Sequence, residues 1–555
     1  MESLEAIVKK AKSCHTKSAW EDLFSTHRST IANTQNSKSL TDLFRLLKND
    51  PQSLQYDPQI WATLLQGALA SWSFELGKEI ARFVQKVAHP AVIIAAAQVY
   101  LETGQPSSTR DLANRALRFS HLDANDKIQL QMLICGAYAE EGKHNKTIRM
   151  LKNVHDSLAQ TDLPQADRSA YLMRIGRMHF FLGQYSRAGE VFSQAADLFM
   201  DLEDWEHAAK ALFNTAASYE NSGNQGQHKT FRYVEECRRI AENHKLSGHL
   251  AHCEAFYGLD AHNHGNFAAA REHFRRGLEH LPPDDNSFRR LHILSMLAIV
   301  YMRMGRYHLA KRFAKQTLEL ASRDQSDRYK SRYITLEAEW LWEEGEIEKS
   351  QQLLRQAVNP LESAGVQNLE EMSTLTRFNL QSSLLGEQQF SDRFRFSEEL
   401  HKHYYSWIER RITLGNLLLN KDNFELSELH FIDGIEEAQK HGFLYLEALA
   451  REGQIQSRLK QRRLNSDLDG MIERFAVTVS RIGDTPLKAH LQTTLAAQAY
   501  HLGDFKECTR IIKDASKQAR VSNIDKFCLQ ACLATIEGKS PRLVHAWQIQ
   551  ALARF

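Results

Sequence analysis

The stretch IGRMHFFLGQYSRAGEVFSQA, residues 175–195, decides the fold. Gly176, His179, Gly183, Tyr185, Ala188, Phe192 and Ala195 hold positions that recur along the chain. The central glycine returns at Gly104, Gly142, Gly183, Gly223, Gly265, Gly305, Gly345 and Gly386, in steps of 38 to 42 residues. A fixed period of this size means stacked repeats, each burying a face that its neighbour supplies.

The register around the glycine gives the shape of one repeat. Seven residues before it the side chain is small: Ala97, Cys135, Gly176, Ala216, Gly258, Ala298 and Ala338, with Asn379 the exception. Four before it stand Tyr100, Tyr138, Tyr219 and Tyr301. Five after it the side chain is small again, as in Thr109, Thr147, Ala188, Ala270, Ala310, Ser350 and Ser391. Spacings of three, four and seven place these residues on one face of a helix. A glycine in the left-handed conformation ends that helix without a Cβ clash. A second helix then starts, and small residues on both let the two backbones approach.

This pattern resembles the tetratricopeptide repeat family. Copies with the same register run Tyr257-Gly258, Gly265, Phe267, Ala270, Phe274, Gly277, and Leu297-Ala298, Tyr301, Gly305, Tyr307, Ala310. Weaker copies run Leu414-Gly415, Asp422, Phe424, Ser427, Phe431, Gly434, and Leu495-Ala496, Gly503, Phe505, Cys508, Ile512, Ala515. The family repeat is about 34 residues; the longer one here predicts longer helices or longer loops. Repeats of this length look like those of polarity scaffolds of the Pins type and of peptide-sensing bacterial regulators. The resemblance implies an all-α fold, an α-solenoid of stacked helical hairpins wound as a right-handed superhelix.

Four segments follow from the register. Residues 1–88 read as an N-terminal helical cap or degenerate hairpins, with apolar clusters at Trp20, Leu23 and Phe24, at Leu40, Leu43 and Leu47, and at Trp61, Leu64 and Leu65. Residues 89–400 carry the regular array and 401–520 the degenerate repeats. Residues 521–555 read as C-terminal capping helices.

Composition narrows the function classes. The 70 basic and 68 acidic residues leave a net charge of +2, which gives no global electrostatic case for nucleic acid or an anionic membrane. Seven scattered cysteines fit a reducing compartment. No signal sequence and no apolar run long enough to span a bilayer is visible, so the expected location is the cytoplasm.

The chain shows no sequence pattern for catalysis. Gly538-Lys539-Ser540 supplies half of a phosphate-binding loop, but Leu533 stands where the first glycine belongs and Pro541 interrupts the helix. Cys528 and Cys532 read as small buried residues, and His262 and His264 as solvated histidines at a helix C-terminus. No cofactor and no metal is implied, and the chain reads as a non-enzyme.

A repeat array of this kind works as a binding surface. In the tetratricopeptide family the first helix of each hairpin lines the concave groove. The resemblance places there the residue two before the turn glycine and those one and two turns further back. That gives Arg174, Arg177 and Phe181 in one repeat, Asn214 and Asn221 in the next, then Asn263, then Arg303, then Glu339, with Trp342 as an apolar pocket and Arg332 further back. Asn221, Asn263 and Arg303 form a polar ladder suited to the backbone and carboxylates of a peptide. The expected function is a scaffold or adaptor holding a peptide or helix of a protein partner. A ligand-responsive regulator and an enzyme with a cryptic site are the competing classes. Residues 1–88 show no basic recognition helix, which disfavours the regulator. Self-association is open to any solenoid with an exposed end.

Overall fold

The computed structural model describes residues 3–324 and 404–515 with short breaks, together with scattered positions between 334 and 356 and Leu533. Every regular element among the described residues is helical. Five helices open the chain: α1 (Leu4–Ala11), α2 (Lys17–Ala32), α3 (Ser37–Lys48), α4 (Pro58–Ala70) and α5 (Phe74–Phe83). Side chains of Ser3, Thr16, Asn36 and Asp57 accept backbone hydrogen bonds at the starts of α1 to α4, which satisfies amides a helix leaves open. Trp20, Leu43 and Trp61 sit in one core that runs from Leu4 to Val99.

Hairpins follow. They are α6 (Pro90–Glu102) with α7 (Pro106–Ala116), α8 (Ala124–Glu140) with α9 (His144–Gln160), and α10 (Gln165–Phe181) with α11 (Tyr185–Asp201). Next come α12 (Trp205–Asn221) with α13 (Gln227–Asn243), α14 (Ser247–Asn263) with α15 (Phe267–Glu279), and α16 (Phe288–Arg303) with α17 (Tyr307–Asp324). A second array holds α18 (Tyr404–Asn420) with α19 (Phe424–His441), α20 (Leu444–Lys460) with α21 (Ser466–Ile482), and α22 (Leu487–His501) with α23 (Phe505–Ala515). The fold is a tetratricopeptide-like α-solenoid. The long period is taken up in the helices: α8 to α14 have 17 residues each, and three-residue turns join α10, α11 and α12.

The contacts inside a hairpin explain the register. Phe192 lies against Gly176, where a Cβ would come within 2.7 Å of the ring. Phe274 lies in the same way against Gly258 at 2.8 Å, and Phe431 against Gly415 at 2.7 Å. The small position before the turn is therefore the seat of an aromatic ring from the second helix. The small residue after the turn has its own use. Thr109, Ser350 and Ser427 donate their hydroxyls to the carbonyls of Ala97, Ala338 and Gly415, at 3.1, 2.6 and 2.7 Å. Tyr219 carries packing to the previous hairpin, its ring 3.0 Å from a Cβ placed on Gly189. The turn glycines Gly104, Gly265 and Gly305 are left-handed, with φ of 74, 77 and 65°. Gly142, Gly183, Gly223, Gly345 and Gly386 lie outside the described residues.

The two arrays touch. Gly265 packs against Leu444 and Ile482, and His264 against Gly442. Phe267 meets Tyr445 edge to face at 5.5 Å. Phe267, Val300 and Met304 share one buried core with Ala448, Ile472 and Ile482. The second array is seated on the turn edge of the hairpins formed by α14 to α17.

Candidate functional site

First helices line the inner wall. Along the array α6 packs on α8, α8 on α10, α12 on α14 and α14 on α16, while second helices pack mainly against the first helices on either side. The side on which successive helices touch is the tighter, concave one. Its curvature brings Arg177 of α10 within 2.8 and 3.3 Å of the two Glu102 carboxylate oxygens on α6, two hairpins away. Gly136 of α8 lies between them and leaves room for Leu101, whose Cδ2 would be 2.8 Å from a Cβ there.

A small open cleft spans these three helices, lined by Leu101, Glu102, Met132, Gly136, Arg174 and Arg177 among others. Its floor is apolar and its rim charged. Arg174 is half-buried, and burial lowers its pKa before Tyr171, Arg177 and Glu102 act on it. A guanidinium holds its charge even so.

The remaining sequence-predicted residues fall as follows. Asn214 is half-buried on α12, and Asn263 is half-buried at the end of α14, within 3.2 Å of the His262 ring. Arg303 ends α16 and donates to the Tyr445 hydroxyl at 3.2 Å, its guanidinium 4.8 Å from that ring. Whatever Arg303 offers a partner, it offers from this contact with the second array. Phe181 and Asn221 end α10 and α12, and their side chains lie outside the described residues, as do Arg332, Glu339 and Trp342. Cys528 and Cys532 lie outside them too.

The solvated reading of His262 needs correction. It is 5% exposed and packs between Phe267 and Tyr405, because the second array covers this helix end. His264 is half-buried and close to Asp260, whose side chain and backbone accept from it and raise its pKa to about 9. Glu220 is raised to about 7, first by burial and then by Asp260.

Apart from Arg332, thirteen before Gly345, the wall residues beyond two helical turns behind the glycine were missed. Thirteen residues before it stand Lys210, His252 and His292, and sixteen before it His207, His249 and Arg289. The structure brings these positions together on α12, α14 and α16. His252 accepts from Arg289 at 3.2 Å, stacks on Phe213 at 4.8 Å and meets His249 edge to face at 5.9 Å. Lys210 is exposed, yet enclosure by the wall lowers its pKa, with Arg177 and Arg289 adding to the effect. Extending the same register two turns further back finds all six in the sequence.

No described group of histidine, cysteine, aspartate or glutamate is arranged to hold a metal. No described helix is long and apolar enough to cross a membrane.

No protein-family profile matches the chain, and no curated protein matches it. Among solved structures it is similar to a Rap protein complexed with competence and sporulation factor, at 13% identity and a TM-score of 0.36, over 58% of this chain and 96% of that one. It is similar to the Rap conjugation gene regulator of plasmid pLS20 in complex with the Phr* peptide, at 13% identity and a TM-score of 0.36, over 74% and 98%. A third likeness is to the APC/C hetero-tetramer Cut9-Hcn1, at 11% identity and a TM-score of 0.42, over 94% and 96%.

Proposed function

We propose that this chain is a non-catalytic scaffold that holds a peptide or helix of a protein partner in its concave groove, in the cytoplasm. The observation that carries the reading is the pocket across α6, α8 and α10, because it is built jointly by three hairpins and faces the inner wall. Apolar floor and charged rim are what an anchor side chain and its flanking backbone need. On this reading residues 1–88 cap one end, 89–400 hold the partner, 401–520 brace the array and 521–555 cap the other end.

A photo-crosslinking amino acid tests it. Placed at Asn214 on the inner wall, it is expected to yield one discrete protein adduct in native lysate. At exposed Glu190 on the outer helix α11 it is expected to yield none. Equal labelling from both faces would exclude the groove as the binding surface. Arg174→Glu with Arg177→Glu is expected to remove the inner adduct while circular dichroism stays unchanged.

A further inference from the structure

Three consecutive first helices present the same chemistry at the same two depths of the wall. α12 offers His207 and Lys210, α14 His249 and His252, and α16 Arg289 and His292. His207 has a carboxylate beside it, Asp204 at 2.9 Å. Among the described residues no acidic side chain lies within ion-pair distance of Lys210 or Arg289. The Arg289 guanidinium lies across Gly248, where a Cβ would meet Nη1 at 2.7 Å, and its Nε donates to the His252 ring. That bond fixes the proton of neutral His252 on Nδ1, which is buried and finds no acceptor. His249 is 3% exposed, and neither of its ring nitrogens has a partner. Neutral His249 and His252 carry one N–H each, so two buried donors lie open beside two cations, where buried polar atoms are nearly always satisfied.

We infer that the wall formed by α12, α14 and α16 binds an acidic stretch of the partner segment, its carboxylates pairing with Lys210 and Arg289. The inference rests on the scaffold reading and specifies the partner's chemistry. Lys210 and Arg289 are carried by α12 and α16, with α14 between them. Neighbouring helices lie about 8–10 Å apart, and three residues of extended chain span about 10 Å. The wall therefore suits carboxylates on every third residue better than one phosphoryl group. The chain's own segment 521–555 is a poor occupant, since it carries four Lys and Arg against two Asp and Glu. Burial, then Arg289 and Lys210, lower the His249 pKa to about 3 and keep its ring neutral.

The test uses the full chain and labelled nonapeptides in low salt. One probe carries glutamate at every third position among glycine and serine, one has the same three glutamates contiguous, and others replace glutamate by phosphoserine or lysine. The spaced glutamate peptide is expected to bind tightest and the lysine peptide not at all. Lys210→Gln with Arg289→Gln is expected to weaken it about 30-fold, with melting unchanged. Lys210→Gln alone, at an exposed position, is expected to show part of the loss without any risk to folding. Binding untouched by these changes, or binding of the phosphoserine peptide only, would overturn the inference. Random-peptide selection on the wild-type chain separates the two readings. Acid-poor binders indifferent to Lys210→Gln sink the inference and leave the scaffold standing; no binder at all sinks both.

Discussion

In the first array the chain reverses inside its hairpins at Gly104, Gly265 and Gly305, with φ of 74, 77 and 65°. In the second array the same reversals fall on Asp422, Arg462 and Gly503, at 59, 54 and 79°. Glu203 and Lys245 hold φ of 56 and 55° between hairpins of the first array. The left-handed turn is thus demanded by the hairpin and tolerated by several side chains, at a cost of about 1–2 kcal/mol. The seat of the aromatic ring behaves differently. Gly176, Gly258 and Gly415 occupy it where a phenylalanine follows, in both arrays, and Phe431 also presses on Gly453 of the next hairpin. The periodic glycines that announce the repeat are the replaceable ones. The glycines under the rings are the ones the packing requires.

The sharpest way to break this contrast is Phe431→Ala. Its ring is fully buried between two glycine-bearing helices, so its loss is expected to cost about 3–5 kcal/mol. Denaturant unfolding of the full chain would read the second array losing stability first. Gly258→Leu should cost less, about 1–3 kcal/mol, because the Phe274 ring must move to admit it. A melt that matches wild type would show that the seat is not tight.

A smaller effect depends on pH. His264, raised to about 9, contributes stability that is full below its ordinary value near 6.5 and lost as pH climbs through 9. Glu220, raised to about 7, favours the folded state while protonated, and that contribution is lost as pH rises from about 4.5 through 7. Both push the same way, so the melting temperature is expected to fall between about pH 5 and 9. Glu220→Gln, which stays neutral, should flatten the lower half of that fall; an unchanged slope would remove Glu220 from the account. The smallest effect is Asp422→Gly. Relief of the left-handed strain is partly offset by added chain entropy, leaving a gain of about 0.5 kcal/mol, readable as a small rise in the unfolding midpoint. Gly265→Asp should move it the opposite way.

The hairpin was legible because its determinants are local. Gly258 and Phe274, or Ser427 and Gly415, lie within one repeat, and helical spacing alone brings them together. The places of Arg174 and Arg177 on a first helix follow from the same spacing, whereas the pocket they share with Glu102 and Met132 spans three hairpins and has no local signal. Seating of the second array on the first was not, because nothing near Arg303 or His262 in the sequence points to Tyr445 or Tyr405. That partnership depends on where the solenoid carries each surface, and it turned an expected solvated histidine into a buried one. The cations at Lys210 and Arg289 were readable, Lys210 at the same register position as Arg332 and Arg289 one turn beyond it.

The bond between Arg303 and Tyr445 joins residues 142 apart. Every hairpin can zip as soon as its own forty residues leave the ribosome, whereas this bond must wait until about a quarter of the chain more has emerged. Closing so large a loop costs roughly 2 kcal/mol more than closing a twenty-residue one. The clasp then forms after every hairpin of the first array up to α17, and pulling on the chain ends is expected to part the arrays before those hairpins open.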